Sequence, residues 1–141
     1  MKNKITLLLL IGVSLLSAQQ KSTGVVTLST NMAATLTLDN GTSTATLSLT
    51  GPNDRWFALQ FGSFTGGMAA GSDLVYWDNV TLVDARHVGI GSTPTTDATN
   101  NWTITSNLNN SPSAGLRTIV ATRAFNTGDA NDFTFNFSDT S

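Results

Sequence analysis

The stretch ATLTLDNGTSTATLSLTG, Ala34 to Gly51, decides how this chain folds. Leu36 and Leu38 alternate with Thr35 and Thr37. Asp39-Asn40-Gly41 then supplies a turn, and Ala45, Leu47 and Leu49 alternate with Thr46, Ser48 and Thr50. A period of two on either side of such a turn predicts a β-hairpin. One face of that hairpin is apolar and the other is rich in hydroxyls, as in a sheet with one wet side.

The same grammar runs outward in both directions. GVVTLST, Gly24 to Thr30, reads as a strand entering the hairpin. RWFALQFGSF, Arg55 to Phe64, is apolar in both phases, with Trp56 and Ala58 on one and Phe57, Leu59 and Phe61 on the other. That is the pattern of a strand buried on both faces. DLVYWDNVTLVDAR, Asp73 to Arg86, predicts a second hairpin turning near Asp78-Asn79. HVGIGSTPTTDATNN, His87 to Asn101, reads as a long loop from its Gly, Pro, Asn and Thr content. WTITSN, LRTIVATRAF and DFTFNF predict three more strands, the last with Phe133, Phe135 and Phe137 on one face. No helix-period segment follows the N-terminal region. The fold class is therefore all-β, a β-sandwich of roughly eight or more antiparallel strands. Trp56, Leu59, Phe61 and the Phe133–Phe135–Phe137 face are its predicted core.

Composition supports that class. The chain has 141 residues, no Cys, and nine acidic residues that are all Asp. Asp suits turns and caps where Glu suits helix interiors, and the absence of Cys leaves stability to packing and strand pairing. Residues 1–18, MKNKITLLLLIGVSLLSA, read as a secretory signal: Lys2 and Lys4, a short apolar run, then small residues at the cleavage site. An N-terminal membrane anchor is the alternative. The expectation is a protein secreted, periplasmic or held at the cell surface, with one β-domain over residues 19–141 and no membrane span in the mature chain. FNFSDTS closes the sequence just after an alternating strand that has nothing to cover it, so a domain incomplete at its C-terminus is expected. The net charge is −2 and the few Arg are dispersed, which speaks against a nucleic-acid partner.

Candidate chemistry is sparse. His87 is the sole histidine, and Asp84 three residues earlier does not make a catalytic pair with it in a strand-to-loop segment. A surface or loop-anchoring role is the expectation for His87. The Asp residues flank strands or sit in turns, and NTGDAND, Asn126 to Asp132, has the composition of a calcium loop without its spacing or closing Glu. Trp56, Trp77 and Trp102 are either core residues or a sugar-stacking platform, with Trp102 the best placed for a rim. Met68 stands alone among Gly and Ala in FTGGMAAGSDLVYW, Phe64 to Trp77. It either plugs the end of the sandwich or is held out as a thioether for a ligand. Nothing here assigns a catalytic residue, so the chain reads as a binding or carrier domain and not as an enzyme.

Four segments in order carry a resemblance: DRWFALQFG, GGMAAGSDLVYW, VDARHVGIGSTPTTDATNNWTITSN and LRTIVATRAFNTGDANDFTF. Together, from about Gly51 to Phe137, they resemble the DOMON family, which includes the haem-carrying cytochrome domain of cellobiose dehydrogenase and many secreted bacterial proteins. The resemblance implies a β-sandwich that binds haem b, with Met68 as one axial ligand and Trp56, Phe61 and Trp77 beside the cofactor. The family's histidine ligand lies in a later strand, beyond residue 141, and His87 is the fallback partner. Met/His ligation raises the reduction potential and suits electron transfer to a redox partner protein. Other family members are thought to bind sugars, so an extracellular carbohydrate-binding module without redox function stays open beside the haem reading. A plain adhesive β-domain is the third possibility.

Overall fold

A computed structural model describes residues 19–62 and 67–139 of the chain. The signal sequence expected over residues 1–18 lies outside them. The described residues form ten strands and no helix. None of them lies in a helix long and apolar enough to cross a membrane.

The larger sheet holds β1 (Gln20–Ser22), β2 (Val26–Ser29), β3 (Met32–Asp39), β4 (Thr44–Pro52), β9 (Thr103–Asn109) and β10 (Leu116–Ala124). Its order is β1-β3-β4-β10-β9, and β2 also pairs with β3. The smaller sheet holds β5 (Phe57–Gln60), β6 (Asp73–Trp77), β7 (Leu82–Arg86) and the two-residue β8 (Thr95–Thr96), in that order. Every pairing is antiparallel. This is the expected all-β sandwich.

The deciding hairpin forms as its alternation requires. Leu36 pairs with Leu47, Leu38 with Ala45 and Ala34 with Leu49, so the apolar residues of β3 and β4 share one face. The Asp39 carboxylate accepts the Thr42 N–H at 3.0 Å and so fixes the turn. β10 continues the layer, with Ile119 opposite Leu49 and Ala121 opposite Leu47. Phe57, Val75, Trp77 and Leu82 of the smaller sheet meet this layer in one hydrophobic cluster. Gly51 is needed at the contact: a Cβ there would lie 2.3 Å from the Phe57 ring. The hydroxyls of Thr35, Thr37, Thr46, Ser48 and Thr50 fall in the opposite phase, and Thr50 bonds Thr118 across the β4–β10 seam at 2.9 Å.

The edge beyond β3 is divided between two short strands. β1 pairs with Thr37–Asp39 and β2 with Met32–Ala34. Between them Thr23 exchanges bonds with Leu36: its N–H donates to the Leu36 carbonyl, and its hydroxyl accepts the Leu36 N–H. Gly24, with φ of 64°, makes the kink that separates the two.

Three expectations need correction. Trp56 is not core but 64% exposed, because β5 is buried mainly on its Phe57 side. Phe133 to Phe137 is not a strand and ends in a turn at Phe137: the Phe133 N–H goes to the Asp73 carboxylate, and a single backbone bond joins Phe135 to Phe125. Its rings still alternate inward, with Phe135 buried and Phe133 and Phe137 half-buried. The loop expected over His87–Asn101 contains β8.

Candidate functional site

The register of β5, β6 and β7 sorts their side chains onto two faces. Phe57, Val75, Trp77 and Asp84 look toward the larger sheet. Ala58 and Tyr76, then Gln60, Leu74 and Ala85, are paired on the outward face. An outward-facing sheet is normally wet, yet Leu74 is 1% exposed and Ala85 is fully buried. The cover comes from the turn at residues 67–72, which carries Met68, and from the loop after His87.

Between that cover and the sheet lies a cavity of about 1160 Å³, beyond the roughly 300–1,000 Å³ common for ligand pockets. Trp56, Ala58, Leu74 and Tyr76 line its sheet side, and Met68, His87 and the β2–β3 turn line the rest. The Met68 turn is strapped to the His87 segment. Gly71 N–H donates to the His87 carbonyl at 2.7 Å, and His87 N–H to the Ser72 carbonyl at 2.9 Å. Gly67 and Gly71, with φ of 89° and 84°, let this turn reverse tightly. Met68 is 44% exposed at the mouth. His87 is buried, against the expectation of a surface residue, and its Nδ1 has no hydrogen-bond partner among the described residues. Arg55 reaches the rim, paired with its neighbour Asp54 at 2.8 Å.

Of the residues expected near a cofactor, Met68, Trp56 and His87 line this one cavity. Phe61 and Trp77 do not; both belong to the core between the sheets. Trp102, expected at a rim, is buried and stacked on Phe61 at 5.6 Å. Trp56 holds the rim position instead.

No protein-family model, curated protein or solved structure matches this chain.

On the inward face the structure gathers a group whose members were expected only to shape turns. Asp73 of β6, Asp84 of β7 and Asp132 have carboxylate oxygens within 4.8 Å of one another. Arg123 of β10 reaches into them from the larger sheet. Its Nη2 donates to Asp73 Oδ2 at 2.8 Å and to the Phe133 carbonyl at 2.6 Å, while Nη1 lies 3.9 Å from Asp84 and 3.8 Å from Asp132. The rings of Phe61, Trp102 and Phe135 surround the guanidinium, their centroids 4.8–5.3 Å away, close enough for cation–π attraction. The backbone N–H of Asn101 donates to Asp84 Oδ2 at 2.9 Å. Burial pushes the Asp84 carboxyl up to about 7; the Asn101 bond opposes this and the Asp132 and Asp73 charges add to it. Burial also raises Asp73 and Asp97 above the usual carboxylate range. The signal for this group was present: in β10 the inward phase reads Ile119, Ala121, Arg123, and a charge at an inward position demands buried partners.

The NTGDAND turn divides between the two roles. Asn126 and Asp129 cap its backbone, accepting from Gly128 and Asn131 at 2.9 Å each, while Asp132 turns toward Arg123 and accepts a short bond from the Thr127 hydroxyl.

Proposed function

We propose that this chain is a secreted DOMON-like module that holds haem b in the cavity over the four-stranded sheet and passes electrons to a redox partner protein. The observation that carries this reading is that Met68 and His87, a thioether and an imidazole, line one cavity that opens to solvent. The residues present fit the group. The wall of Trp56, Ala58, Leu74 and Tyr76 suits a flat, apolar macrocycle, and the unpartnered Nδ1 of buried His87 leaves its ring free to be fixed by a ligand. Arg55 at the rim is suited to the carboxylates of such a group. Haem bound between Met and His cycles between ferric and ferrous iron at a raised potential. The chain's own part is to present Met68 on the strapped turn, to shield the cavity wall and to keep the rim open to a partner. The family pattern puts the histidine beyond residue 141, while the described residues offer His87.

The test is to add haem to the full-length protein and record its reduced spectrum and potential. Sharp low-spin six-coordinate bands that are lost in Met68→Ala support the reading. If they are lost in His87→Ala as well, His87 is the second ligand; if they survive there, the second ligand is not His87 and the family's later histidine, beyond residue 141, takes that place. No retained haem, or a spectrum unchanged in Met68→Ala, overturns it.

The exposure of Trp56 beside Tyr76 favours a second reading, a carbohydrate-binding module in which the two rings stack on sugar. Binding to a soluble oligosaccharide that is abolished in Trp56→Ala, with no haem retained, would select it.

A further inference from the structure

We infer that Asp73, Asp84 and Asp132, gathered around Arg123 in the core, hold one shared proton in the folded state at neutral pH, so that the fold is tightest in mildly acidic medium and loosens as that proton leaves. The argument begins with a charge count. Three carboxylates face one guanidinium, and the side chains of Arg123, Asp73 and Asp84 are at most 2% exposed. Fully ionised, the group would keep two uncompensated negative charges out of water, a state that buried acids avoid by binding protons.

The hydrogen bonds point the same way. Oδ1 of Asp73, of Asp84 and of Asp132 are all buried without a partner. A proton on one carboxyl removes one of the clustered charges, whose oxygens lie within 4.8 Å of one another, and turns an acceptor-only group into one that can donate. A divalent cation is a poorer solution, because the guanidinium already stands 2.8–3.9 Å from all three carboxylates and would be driven against it. Asp84 is the natural holder. It has no close bond to Arg123, whereas Asp73 has one at 2.8 Å, and its own carboxyl is the one raised furthest toward neutrality. Beyond the group lies Asp97 after β8, whose own carboxyl is raised first by burial, then by the Asp129, Asp132 and Asp73 charges, with Arg86 opposing. The charges that act on Asp84 itself are those of Asp132, Asp73 and Arg123.

The sign follows from linkage. An acid whose folded pKa is raised binds more protons folded than unfolded, so its contribution is fully present below the unfolded value near 3.8 and is lost as pH rises through about 7. The folding equilibrium constant then falls by up to about tenfold per pH unit across that window.

Two measurements test the inference on the protein as isolated. The first is a carbon-13 titration of the Asp side-chain carboxyls in the folded state. One cluster resonance with a midpoint close to 7 is expected; all Asp resonances titrating below about pH 5 would overturn the idea. The second is urea unfolding from pH 5 to 8 for wild type and Asp84→Asn. The wild type should lose stability with rising pH and the variant should not. Equal slopes in the two proteins would overturn the inference. Where Asp84→Asn does not fold, the titration alone decides.

Discussion

The two halves of the sandwich are held by different physics. In the β3–β4–β10 layer each inward side chain from Ala45 to Leu49, and Ile119 and Ala121 opposite, is apolar and at most 1% exposed, and hydrophobic burial suffices. In the β5–β6–β7 layer the inward face also carries two buried carboxylates, Asp73 and Asp84, and part of the outward face is buried, Leu74 and Ala85 included. The difference teaches where to look for function. Strict alternation marks the scaffold, and departures from it mark the cavity and the charged cluster.

Substitutions can break this contrast. The largest effect belongs to Arg123→Leu, which leaves three buried acids without their cation and should destabilise by about 3–5 kcal/mol. Urea unfolding at pH 7 measures it, and the loss should shrink at pH 5, where the acids are closer to neutral. Leu49→Ala in the hydrophobic layer should cost about 2–5 kcal/mol with no change between the two pH values. A pH-dependent loss there would erase the distinction between the layers. Gly51→Ala comes next, about 1–3 kcal/mol, because its methyl must displace the Phe57 ring. Trp56→Ala should be the mildest, within about 0.5 kcal/mol in unfolding, while removing a large part of the cavity's ligand binding. A large stability loss in Trp56→Ala would place that ring back in the core.

The scaffold was legible because its residues obey one rule at a time. Leu36, Leu38, Leu47 and Leu49 could be paired from their spacing and the Asp-Asn-Gly turn alone. Trp56 misled because a Trp beside a strand is usually buried, and its exposure depends on the neighbouring cavity, which no local pattern encodes. Phe133 to Phe137 has the alternation of a strand, but the Asp73 carboxylate takes the N–H that a neighbouring strand would need. The charged cluster joins residues 50 and more positions apart, Asp73 with Arg123, through pairings that exist only once both sheets form. A single inward Arg was its one local trace. That Met68 and His87 share a cavity stood only as a fallback expectation, since the two are brought together by backbone bonds between a turn and a strand end.

The divided edge beside β3 has a consequence for the behaviour of the protein at high concentration. A long, straight outer strand invites a second molecule to pair with it. Here the border is two stubs of three and four residues, offset by the Gly24 kink, with Lys21 on the first. An incoming strand finds no continuous row of partners and meets a charge where it would begin. Val25, Val26 and Leu28, exposed along the same border, make that interruption matter. Straightening it, by replacing Gly24 with a β-branched residue and Lys21 with a neutral one, should favour polymerisation through the first strands.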